Sequence, residues 1–138
     1  MILSAPATIL TAAVTLLAVL ITIGLSIMVS KVRTRANVPP PAMSGAPEVE
    51  RALRIHGNTI EQIVVFLPAL WLAALYFQGW VPPALGLVWC IGRILYAVGY
   101  MAGADKRLAG FALTILPTLI LIVLAVIGLV GAWTAASA

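Results

Sequence analysis

Four apolar runs, at about 5–30, 58–78, 84–104 and 109–133, leave this chain of 138 residues few folds to choose from. Each is close to the roughly 20 residues that carry a helix across a hydrocarbon core. Inside lipid no water is available to the backbone N–H and C=O groups, so a span must pair them internally, which an open sheet cannot do. The expectation is an all-α integral membrane protein, one domain over 1–138, built as an antiparallel bundle of four transmembrane helices. Only 9% of the residues are charged, against about 25% in soluble domains, so the solvent for most of the chain is lipid. The first run lacks a basic leading segment and is longer than the about 7–15 apolar residues of a secretion signal. It reads as a retained first helix.

The basic residues set an orientation. Lys31, Arg33, Arg35, Arg51 and Arg54 flank the first connection, and Lys106 and Arg107 lie in the third. The N-terminal segment and the second connection, QGWVPPA, carry none. The positive-inside rule then puts connections one and three in the cytoplasm and both termini on the other side. The net charge of +4 follows from this topology, and no nucleic-acid partner is read from it. The single cysteine, Cys90, excludes an intramolecular disulfide and a multi-cysteine metal cluster. In an apolar run it is expected to be a packing residue.

The segment ERALRIHGNTIEQIVVFLPALWLAALYF, residues 50–77, carries the chemistry. Its apolar half is a span, so the helix is expected to begin upstream, at about 48, and to include Arg51, Arg54, His56, Asn58 and Glu61. A Pro/Gly connector, ANVPPPAMSGAP, precedes it. A tight turn at 79–83, with two prolines and Trp80, would make helices two and three an antiparallel hairpin. At 1.5 Å rise per residue, equal distances from that turn mean equal depth. Arg54 then levels with Arg107 and Glu61 with Tyr100, the first of each pair lying about 25 and 18 residues before the turn on helix two. Arg51, Arg54, Asn58 and Glu61 fall within about an 80° arc, and Arg93, Tyr96, Tyr100 and Arg107 within about 60°, at 100° per residue. Two polar stripes at one depth can line one cavity, within a subunit or between neighbours.

Helix-end arginines often only extend their heads to the interface, and tyrosines form interfacial belts. For Arg51 and His56 that plain reading stands beside the functional one. Glu61 and Arg93 are different, because an ionisable group inside the membrane is costly and usually faces a cavity or an interior. By the depth count Arg93 levels with Ala69, which leaves its partner open: a reach toward Glu61, or a group on another subunit.

These residues resemble the MAPEG family, the membrane-associated proteins of eicosanoid and glutathione metabolism. PEVERALRIHGNTIEQ matches its Glu-Arg…Arg…Asn-x-x-Glu pattern in Glu50, Arg51, Arg54, Asn58 and Glu61. GRILYAVGYMAGADKRLAG resembles its Arg-x-x-Tyr-x-x-x-Gly-Tyr segment in Arg93, Tyr96, Gly99 and Tyr100, followed by Arg107. The resemblance covers essentially the whole chain and is of the microsomal-glutathione-transferase-like, bacterial type. It implies a homotrimer, with glutathione as co-substrate between adjacent subunits near the cytoplasmic face, and no metal. Arg54, Asn58, Glu61, Tyr96 and Tyr100 are then similar to glutathione contacts, and His56 to a polar contact from the neighbouring subunit. Arg107 resembles the arginine that activates the thiol, and Arg33 one that closes the site from helix one. Arg51 and Arg93 join the glutathione-binding set in supporting roles. Gln62 departs from the leukotriene-synthase-like members, which carry tyrosine there, and this weighs against eicosanoid synthesis.

Glutathione carries two carboxylates and one ammonium, which suits a stripe of arginines with one carboxylate. The implied function is a membrane-bound glutathione transferase joining the glutathione thiolate to a lipophilic electrophile, with reduction of lipid hydroperoxides as an associated activity. It implies detoxification, with membrane lipid as a further partner. Short loops and an Ala/Val/Leu-rich composition point to a bacterial inner membrane, with a reticulum membrane as the other option. The alternative is a non-catalytic lipid-binding or scaffold member, a class that tends to lose the arginines retained here. A proton-coupled drug transporter would need its key carboxylate in the first helix, which has no acid.

Overall fold

The computed structural model describes residues 5–138. Four helices long and apolar enough to cross a membrane account for nearly all of them: α1 Pro6–Ala36, α2 Pro47–Leu72, α3 Val81–Ala102 and α4 Leu108–Ala136. Among the described residues there is no strand. The protein is therefore an all-α, multi-pass integral membrane protein.

Local chemistry explains each boundary. Pro6 and Pro47 open α1 and α2, where the missing proline N–H is not needed. Glu48 and Glu50 fall in the first turn of α2, facing the positive end of the helix dipole. α1 runs past the expected end at residue 30 to Ala36, and Asn37 closes it in the left-handed conformation, with φ 53°. Lys31, Arg33 and Arg35 thus extend the helix beyond the apolar run instead of starting the connector.

The reversal between α2 and α3 is shorter than the expected 79–83. A π-helical turn, Ala73–Phe77, continues α2, with the Gln78 N–H donating to the Ala73 carbonyl at 3.0 Å. Gln78 and Gly79 then take positive φ, 65° and 78°. Pro82 and Pro83 already belong to the first turn of α3. At the other end α3 stops at Ala102, two residues before the expected 104. Gly103 breaks the helix and Ala104–Arg107 form a 3₁₀ turn into α4. Arg107 is consequently not on α3, and the 60° arc drawn through it does not exist. A helix break at Gly103 separates Arg107 from the α3 periodicity.

α3 packs chiefly on α4, while α1 lies against α2 and α3, and α2 also touches α4. One core cluster joins all four helices through Val14, Phe66, Leu70, Trp89, Cys90 and Leu121. Phe66 and Trp89 stack there with centroids 4.1 Å apart. A second cluster, with Leu25, Ile55, Tyr96, Ala97 and Tyr100, lies toward the basic end. Outward faces such as Leu20, Val64, Val98 and Val123 are apolar and exposed, as lipid contact requires. Backbones meet closely at glycines. A Cβ on Gly110 would run into the backbone of Tyr96, and one on Gly92 would lie 2.7 Å from the Leu113 carbonyl carbon. Small residues at such crossings are the usual means of close helix packing in lipid.

Candidate functional site

The first turns of α2 and the last turns of α3 converge with the 3₁₀ turn and the start of α4. Arg54 and Asn58 from α2, Tyr96 from α3, and Arg107, Leu108 and Phe111 line one cleft of about 270 Å³. The Arg107 guanidinium lies over the Tyr100 ring, 5.1 Å from its centroid, and Nη1 donates to the Tyr100 hydroxyl at 3.2 Å. Tyr100 is nearly buried and Arg107 is exposed. A fixed phenol therefore holds a mobile type of side chain, and the free nitrogens of the fork can meet an anion. Leu108 and Phe111 give the same cleft an apolar wall.

A second cleft, of about 500 Å³, is also lined by Arg54 and Asn58. Met43 and Ser44 of the connector, with Glu50, Leu53, Gly57 and Glu61 of α2, complete its lining. Arg54 and Asn58 line both clefts, and the two carboxylates line only this one. The expected stripe on α2 is thus divided: Glu61 does not line the cleft of Tyr96 and Arg107.

The other candidate residues are placed as follows. Arg33 is turned onto the connector, with Nη1 donating to the carbonyls of Ala42 at 2.7 Å and Val38 at 3.3 Å. Its Nη2 lies 4.0 Å from the Met43 sulfur, so it holds the segment that lines the second cleft. Arg51 is half-buried and its Nε has no partner. His56 is half-buried and lines neither cleft.

Arg93 is 0% exposed. Its fork donates to Asn58 Oδ1 at 3.0 Å, Thr59 Oγ1 at 3.3 Å and Thr114 Oγ1 at 3.0 Å. Its Cζ lies 4.6 Å from the Tyr96 centroid and 5.5 Å from that of Trp89. The upward reach expected of Arg93 is present, but it ends on Asn58 and Thr59, not on Glu61. All three acceptors are neutral.

Several residues of the site and of its support had no distinguishing signal in the sequence. Met43 and Ser44 sit in a connector whose path is not encoded locally. Leu108 and Phe111 are two apolar residues among many. Thr59 and Thr114 look self-sufficient, since a helical threonine can bond its own preceding turn. Both do so, to Ile55 and Phe111 at 2.8 Å each. A search for acceptors around the costly Arg93 charge is what would have found them. Among the described residues no group of His, Cys, Asp and Glu is arranged to hold a metal.

The family model described as "MAPEG family" matches residues 11–127. An uncharacterized protein of Synechocystis is 46% identical over 112 residues, 81% of this chain and 82% of that protein. Human microsomal glutathione S-transferase 2 is 37% identical over 108 residues, covering 78% and 74% of the two chains. Leukotriene C4 synthase of Cavia porcellus is 36% identical over 129 residues, 94% of this chain and 86% of that one.

Proposed function

This chain belongs to the MAPEG family, and on that premise we propose that it is a membrane-bound glutathione transferase. The observation that carries the reading is the pair of clefts sharing Arg54 and Asn58. Glutathione is bipolar, and so is this surface. Glu61, with Glu50 nearby on the same lining, suits the ammonium group. Arg54 on the shared wall suits a carboxylate, which a guanidinium fork binds in two places at once. Arg107, at the apolar end, is left for the sulfur.

A thiol with an ordinary pKa of about 8.5 is only a few per cent thiolate at neutral pH. A permanently cationic guanidinium beside it favours the anion, and each unit of lowering corresponds to about 1.4 kcal/mol. One to two units is the usual reach of a close opposite charge in a partly desolvated site. The thiol proton leaves to water, and the thiolate forms a C–S bond with an electrophilic carbon arriving past Leu108 and Phe111 from the lipid. The carbon expels its leaving group as an anion or, at an activated double bond, its neighbour takes a proton from water. Glu61 has no proton to move in this scheme; it anchors the co-substrate. The site faces the cytoplasm of a bacterial inner membrane, both termini lie on the opposite side, and three copies assemble with glutathione near their junctions.

Thiolate absorbance during a glutathione titration of the purified, detergent-solubilised protein at neutral pH tests this directly. A saturating signal is expected in the wild type. In Arg107→Ala it should vanish at neutral pH and return only as the pH is raised toward the ordinary thiol value. A folded wild type with no signal would leave the lipid-binding or scaffold reading in its place.

A further inference from the structure

Arg93 lines neither cleft, yet its guanidinium is gripped on its edges and on its faces. Its Nη1 reaches Asn58 and Thr59 on α2, and its Nη2 reaches Thr114 on α4. The two threonine hydroxyls send their own protons to the carbonyls of Ile55 and Phe111, so each presents a lone pair to the guanidinium. Tyr96 and Trp89 close its faces. The fork is thereby fixed from three helices. A charge held this way is expensive, since desolvating a guanidinium without a carboxylate partner is not offset by neutral acceptors alone.

The consequence is borne by Asn58. A guanidinium can only donate, so the Asn58 side chain must turn its carbonyl oxygen toward Arg93. Its NH₂ group, a pair of donors, is then what Asn58 has left to offer the clefts. We infer that Arg93 is a positioning residue that fixes the polarity of the Asn58 amide, making Asn58 a hydrogen-bond donor to an anionic group of the bound thiol peptide. This rests on the reading of the clefts as a glutathione site. It also assigns Arg93 no contact with the ligand, in contrast to the binding role that the resemblance implies.

Asn58→Asp separates positioning from plain structural support. The carboxylate still gives Arg93 its acceptor, and a better one, so the melting temperature should stay at or above that of the wild type. The donor pair is gone, so the Kd for glutathione should rise about tenfold or more. Arg93→Met and Asn58→Ala should each weaken binding, and the double variant should bind no more weakly than Asn58→Ala, because one residue acts through the other. If Arg93→Met does not fold, Thr114→Val loosens the fork without touching a cleft. It should raise the Kd about threefold, and add nothing in the Asn58→Ala background.

Wild-type affinity in Asn58→Asp would overturn the inference, as would losses that multiply in either double variant. The wild type is titrated first. If it binds no glutathione, the proposed function fails, and the inference falls with it. If it binds and the cycle is additive, only the inference fails.

Discussion

Arg107 is held by a single phenol, through the ring face and the hydroxyl together. The two contacts are separable. Tyr100→Phe keeps the cation–π surface and removes the hydrogen bond, whose loss is worth about 1 kcal/mol net. The thiolate signal or kcat at neutral pH should fall by a few-fold in this variant, well short of the effect of Arg107→Ala. Equal losses in the two variants would mean that Tyr100 itself contacts the sulfur. At this scale the sequence was readable in part. Type and spacing single out Arg54, Asn58 and Tyr96, and type alone Arg107, whose spacing crosses a helix break; the four line one cleft. Arg93 was singled out too, but its partners were not. Hydrogen-bond acceptors such as threonines occur throughout these helices, and which of them meets Arg93 depends on how α2 and α4 are rotated against α3.

At the scale of elements, the crossing of α3 and α4 places the site. Gly110 meets the backbone of Tyr96, and Tyr96 lines the cleft. A side chain at Gly110 has only backbone to push against, which cannot give way as a flexible side chain does. Gly110→Val should therefore destabilise the protein at the upper end of the about 1–3 kcal/mol typical of overpacking. Thermal melting in detergent would show this, and glutathione affinity should drop in whatever fraction remains folded. Gly131→Ala, where an added Cβ meets nothing within 4 Å, should melt like the wild type. The four spans were legible from their length and composition, whereas the breaks between them were less so. Gly103 ends α3, and Gln78 with Gly79 makes the reversal that the prolines were expected to make. Proline disrupts a helix interior but is welcome in its first turn, so a Pro-Pro pair near a turn does not say on which side of the boundary it falls.

At the scale of the whole molecule, orientation is the property most open to test. Gln78 and Ser44 are exposed at opposite ends of α2, and the native Cys90 is buried. In intact cells a membrane-impermeant thiol reagent should label Gln78→Cys and leave Ser44→Cys untouched, with the reverse in inverted vesicles. Labelling of Ser44→Cys from outside would turn the protein over and move the proposed site away from the cytoplasm. The sequence by itself determined the solvent of the chain, the number of its spans and the sign of its polar end. These follow from local quantities: the length of an apolar run, the cost of an unpaired backbone group in lipid, and a count of lysines and arginines. Only the tertiary structure decided that Asn58 is shared between two clefts and tied from behind by Arg93. It also decided that Arg107 reaches Tyr100 from beyond a helix break. Those relations depend on the rotation and crossing of helices far apart in the chain, and glycine contacts such as that of Gly110 with Tyr96 set them through packing, which no spacing rule within one helix can express.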